Sequence, residues 1–97
     1  MKPKGITKMK AVITVTGKDT MGIIAKVSNC CADYGANIVD ISQSVLSDYF
    51  AMIMLVDIDK LTVPFVDFVD RMSEIGKNSG LVVHTMHEDI FNSMHTI

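Results

Sequence analysis

Between Ala11 and Met86 the hydrophobic spacing switches from a period of two to a period of 3.6 and back twice, and the order of those switches constrains the fold more than any single motif. The run Ala11-Val12-Ile13-Thr14-Val15-Thr16 is β-branched almost throughout, sets Ile13 and Val15 against Thr14 and Thr16, and stops at Gly17, which predicts a strand. From Gly22 to Tyr34 the apolar residues Ile23, Ile24, Val27, Cys31 and Tyr34 recur at helical spacing, with Lys26, Asn29 and Asp33 between them, and Gly35 is placed to end this helix in the left-handed conformation. Asn37 to Leu46 alternates with one irregularity, Ser47-Asp48 reads as a tight turn, and Tyr49 to Val56 completes a hairpin. Thr62 is positioned to cap a second helix, with Pro64 in its first turn, Phe65, Phe68, Val69, Met72 and Ile75 as its buried stripe, and Gly76 to Gly80 as its end. Leu81 to Met86 is a last strand, and Ile90, Phe91, Met94 and Ile97 again fall at helical spacing.

The order βαββαβ, joined by right-handed crossovers, implies an α+β ferredoxin-like fold: a four-stranded antiparallel sheet with two helices on one face, plus a short C-terminal helix. With 97 residues there is material for one core. The domain is expected over residues 10–88, with residues 1–9 a flexible extension and 89–97 a helical tail. The other face of such a sheet is normally wet, so its strands should alternate. The third does not: Phe50, Met52, Met54 and Val56 share one face and Ala51, Ile53 and Leu55 the other. The terminal helix or a second subunit must cover the second face, and a homodimer is expected. The methionines Met52, Met54, Met72, Met86 and Met94 are expected to fill core and interface gaps.

Hydrophobic residues make up 48% of the chain and charged ones 21%, so it can offset the entropy of ordering, yet no apolar run reaches the ~20 residues that cross a bilayer. No membrane contact is expected. A net charge of -2 supplies no electrostatic reason to bind nucleic acid directly. Lys2, Lys4, Lys8 and Lys10 precede no apolar stretch of the kind a secretory signal needs, and the two adjacent cysteines, Cys30 and Cys31, point about 100° apart on a helix. Both features point to a reduced, cytoplasmic chain. His84 and His87, followed by Glu88 and Asp89, invite a metal reading, but on a strand the two imidazoles face opposite ways, so no metal site and no cofactor is expected. No Ser, Cys or carboxylate has a basic partner at a catalytic spacing, so no catalytic residue is assigned and the chain is read as a non-enzyme.

Gly17-Lys18-Asp19-Thr20-Met21-Gly22 is the segment with ligand chemistry: it leads into a helix N-terminus, whose free N–H groups suit a carboxylate, while Asp19 suits an ammonium group and Gly22 allows close approach. The plainer reading is that Asp19 or Thr20 caps the helix and Gly22 relieves packing. Asp19-Thr20-Met21-Gly22-Ile23-Ile24 and, one helix later, Gly35-Ala36-Asn37-Ile38-Val39-Asp40-Ile41-Ser42-Gln43 together resemble the ACT domain, the regulatory module of many proteins of amino-acid metabolism. The likeness runs from Met9 to the end. Met9-Lys10-Ala11 and Tyr49-Phe50 make the chain most similar to small bacterial stand-alone ACT proteins, and more distantly to the ACT modules of glycine-cleavage regulators. The resemblance implies dimers that bind a small amino acid, with glycine or serine favoured, at the subunit interface and signal to a protein partner. It places ligand contacts on Asp19, the backbone of Met21, Gly22 and Ile23, and Asn37; Met21 stands where members often carry Pro. Asn37 also reads as a residue that shapes entry into its strand, and Asp40 and Gln43 as exposed strand positions. The alternative is a structural dimerisation or interaction module that uses the same surface with no ligand; a further reading is control of transcription through another protein.

Overall fold

A computed structural model describes residues 9–18 and 22–94. Its elements are β1 (Lys10–Gly17), α1 (Ile23–Tyr34), β2 (Asn37–Leu46), β3 (Tyr49–Asp57), α2 (Phe65–Ser79), β4 (Val82–His87) and α3 (Glu88–Met94). The four strands form one antiparallel sheet in the order β2-β3-β1-β4, so β2 and β4 are its edges. This is the ferredoxin-like βαββαβ arrangement with a C-terminal helix. Ile13 pairs with Met54 and Val15 with Met52, which sets the inward residues of the two central strands side by side. With Phe50 and Val56 they meet Ile23, Val27 and Cys31 of α1 and Phe68, Met72 and Ile75 of α2 in one core.

The expected irregularity in β2 is a bulge between Ile38 and Asp40, where the Asp40 carboxylate accepts a hydrogen bond from the Ile41 N–H at 2.9 Å. Asp40 is exposed and serves the backbone of its own strand. The Ser47-Asp48 turn is present, with Ser47 at φ 56°. Gly35 ends α1 at φ 80°, and a Cβ there would strike the Lys60 carbonyl, so both conformation and space demand glycine. Two helix-end expectations are corrected. Thr62 caps nothing: α2 starts after Pro64 without a side-chain cap, and Thr62 Oγ1 instead donates to the Tyr34 carbonyl at 3.2 Å, tying the end of α1 to the approach to α2. Gly76 does not begin the end of α2 but lies buried within it, because the helix passes tightly over Val83; the left-handed stop is Gly80.

On the sheet face away from α1 and α2, Val12 is only 3% exposed although it lies outside the main core, and α3 packs on β1 and β4, its strand and the adjacent edge. Cover by the terminal helix is thus partial. Ile53 on the same face remains 45% exposed, and Ile90 and Met94 on α3 itself are exposed as well; Ile97 lies outside the described residues. Met52, Met54 and Met72 are core residues, Met86 is half-buried, and Met94 packs into nothing within this chain's core. No helix among the described residues is long and apolar enough to cross a membrane.

Candidate functional site

Two regions carry the residues singled out from the sequence. At one end of the sheet β1 runs out at Gly17, opposite Phe50, and the chain enters α1 at Gly22. Asp19 and Met21 lie outside the described residues. Gly22 takes φ 75°, the left-handed region, accepts the Lys26 N–H at 3.1 Å, and a Cβ there would meet no described atom within 4 Å. Among the described residues nothing lies over it and no side chain caps α1. The backbone N–H groups of the first turn therefore have no helical acceptor. The Ile23 side chain is fully buried in the core, so that residue can offer a ligand only its backbone. Lys18 lies with Nζ 5.2 Å from the centre of the exposed Tyr49 ring at the same end, a cation that the motif reading had not assigned to the site.

Asn37 sits at the opposite end of the sheet. It opens β2, pairs with Asp57, and is exposed beside a cavity of about 430 Å³ lined by Gly35, Asn37, Asp57, Asp59 and Lys60. The Asp59 carboxylate accepts the Met9 N–H at 2.8 Å, and the Asp57 carboxylate accepts the Asp59 N–H at 2.9 Å, so this rim is braced by the chain entering β1. Between Gly22 and Asn37 runs the whole of α1, 12 residues and therefore ~18 Å of rise. Within one chain the two halves of the expected site do not come together.

The side of α1 that faces away from α2 and toward the β2 edge carries Ile24, Ser28 and Ala32, none of them charged, while Lys26, Asn29 and Asp33 line a groove of about 560 Å³ against α2. Lys26 Nζ donates to Ser79 Oγ across that groove at 3.3 Å, and Arg71 donates to Glu74 at 2.7 Å on its far wall. Folding sets Arg71 of α2 near Cys30, which lowers the thiol pKa, but burial is the larger effect and the net shift is upward. Burial pushes the Cys31 thiol up to about 12. Neither cysteine is an activated nucleophile. His84 and His87 fall on opposite faces of β4, the latter stacked on Phe65 with centroids 4.1 Å apart, and no three metal-ligating side chains cluster among the described residues.

The family model described as ACT domain matches residues 10–68. A UPF0237 protein of Listeria monocytogenes is 42% identical over 92% of this chain and 100% of its own length. The structure of an ACT domain protein from Streptococcus pneumoniae superimposes with a TM-score of 0.75 at 39% identity, over 88% of this chain and 96% of that one. A protein described as a glycine cleavage system transcriptional repressor shares the fold, with a TM-score of 0.67 at 22% identity over 82% of this chain and 45% of that one. The family matched is a regulatory one.

Proposed function

Because this chain belongs to the ACT domain family, whose fold is that of a small-molecule-binding regulatory module, we propose that it binds a small amino acid between two copies of itself and passes the bound state to a protein partner. Residues 10–88 form the binding unit in this reading, with 1–9 an extension and 89–97 a covering tail. One observation supports the interface: Gly22 and Asn37 lie at opposite ends of α1. A single chain cannot bring them to one ligand. A two-fold axis that pairs two β2 edges antiparallel also sets the two α1 helices antiparallel, and then the Gly22 end of one copy meets the Asn37 end of the other. The surfaces this requires are suited to it. β2 is a long edge whose Val39, Val45 and Leu46 are exposed, the kind of edge that invites pairing, and the uncharged Ile24, Ser28 and Ala32 allow helices to approach closely. The first-turn N–H groups after Gly22 receive the ligand carboxylate, and Asp19 with the partner's Asn37 receives the ammonium group.

A ligand of so few atoms binds in the micromolar to millimolar range, since even the best small ligands gain only ~1.5 kcal/mol per heavy atom. At one hundred times its dissociation constant it adds ~2.7 kcal/mol per site, several degrees of melting temperature. Glycine or serine at 10 mM should give that shift, and Asp19→Ala and Asn37→Ala should each abolish it. Mixing the two variants tests the geometry directly: a heterodimer keeps one site with both native groups, so the mixture should recover part of the shift that neither variant shows alone. Loss in both variants without recovery on mixing would mean that the groups act within one chain or not at all. If none of the twenty amino acids moves the melting temperature, the chain is the ligand-free dimerisation module instead.

A further inference from the structure

We propose that the groove between α1 and α2 is a second binding site, which takes a short peptide of about three residues with free ends, its carboxylate at Lys26 and its ammonium group at Asp33. The two helices run antiparallel. Lys26 near the start of α1 reaches Ser79 at the end of α2, while Tyr34 at the end of α1 lies against Phe68 near the start of α2. The groove between them, about 560 Å³, has the size of a small-molecule site. Buried Cys30 and Ile75 are its apolar floor, and exposed Asn29 and Asn78 stand on its two walls.

Its charges are placed for a dipolar molecule. Lys26 and Asp33 share one face of α1 but lie seven residues apart, ~10 Å along the axis, too far to pair with each other. Among the described residues Lys26 Nζ donates only to the Ser79 hydroxyl, and the side chains of Asp33, Asn29 and Asn78 have no hydrogen-bond or ion-pair partner. Each charge also opposes the dipole of α1, a cation in its first turn and a carboxylate in its last, a cost that the antiparallel α2 offsets in part. Neither is there to stabilise the helix that bears it. Arg71 lines the groove too but is held by Glu74 at 2.7 Å, which leaves one cation and one carboxylate toward opposite ends. A polyanion would meet Asp33, and an apolar helix would bury both charges unpaired. A single amino acid spans ~3.5 Å and reaches one end only, whereas three extended residues span ~10 Å. An asparagine side chain both donates and accepts, so Asn29 and Asn78 suit the peptide bonds between those ends. This flank of α1 is not the one that carries Ile24, Ser28 and Ala32, so the groove stands whether or not the dimer proposed above forms.

Titrating trialanine into the full chain while following backbone amide signals by NMR tests this. The free peptide should shift the signals of Asn29, Cys30 and Asn78 with a millimolar dissociation constant, and alanine should not. Amidating its C-terminus or acetylating its N-terminus should each weaken binding about fivefold, the upper worth of one exposed ion pair. Lys26→Met should bind free and amidated peptide equally while still preferring a free N-terminus. Asp33→Asn should bind free and acetylated peptide equally while still preferring a free C-terminus. Both side chains are exposed, so both variants should keep the wild-type fold and the glycine or serine melting shift. Groove signals that trialanine leaves unmoved at tens of millimolar, or equal binding of free and blocked peptides to the wild type, overturn the proposal. So does peptide binding that Asp19→Ala abolishes and Lys26→Met leaves intact, because it then belongs to the loop before α1. If glycine and serine give no melting shift while trialanine binds with this dependence on its ends, the groove stands and only the amino-acid reading falls.

Discussion

Gly22 and Gly35 bracket α1 in the same left-handed conformation, but for different reasons, and substitution separates them. Alanine at Gly22 meets no atom of the described residues and should cost only the conformational penalty, ~1–2 kcal/mol. Alanine at Gly35 carries the same penalty and must also push back the Lys60 carbonyl, so Gly35→Ala should cost clearly more in urea unfolding. Equal losses would show that the Lys60 segment yields freely. Cys31 yields a pH prediction. Its thiol is held protonated by burial, with a folded pKa near 12 against an ordinary value of 9.0. The unfolded chain therefore releases that proton first, and the stability it lends is complete below about pH 9 and lost as pH rises toward 12. Unfolding midpoints should fall over that window, and Cys31→Ala, though less stable at neutral pH because it leaves a cavity, should fall less steeply.

At the scale of elements, α3 is the one whose role rests on a single buried residue. It packs on β1 and β4 and leaves Val12 only 3% exposed on a face otherwise open. Deleting residues 88–97 should uncover that valine and cost roughly 1.5–3 kcal/mol, with increased binding of an apolar dye. A truncated chain as stable and as dye-silent as the parent would assign the helix no covering role. The link from α1 to α2 behaves differently: Thr62 ties it to the Tyr34 carbonyl through both its N–H and its hydroxyl, so the β3–α2 connection is fastened to the end of α1 beside Asn37.

For the whole molecule, the exposed apolar residues of the β2 edge make a link between folding and association the expectation that follows from the proposed dimer. A chain that buries this surface only against its own copies melts at a temperature that rises with protein concentration. Between 5 and 500 μM, calorimetry should show that rise for the wild type, and Ser28→Arg should flatten it. A melting temperature independent of concentration in the wild type would mean that the monomer is complete without partners.

The strands, the helices, the bulge and the ferredoxin-like order were legible in the sequence because each is set by local spacing: the alternation of Ile13 and Val15 with Thr14 and Thr16, the helical recurrence of Phe68, Met72 and Ile75, and the glycine stop at Gly35. Gly22 and Asn37 were legible as a helix entry and a strand opening for the same reason, since both are local features. What local spacing could not carry was distance through space. Only the fold puts Arg71 beside Cys30, lays Gly76 against Val83 so that α2 runs on to Ser79, and gives Thr62 a carbonyl 28 residues away in place of the cap it was placed to make. Only the fold separates Gly22 from Asn37 by the full length of α1. A chain reverses direction at every turn, so two motifs adjacent in a family pattern can stand at opposite ends of a sheet, and that separation, invisible in the order of residues, is what makes the proposed site depend on a second copy.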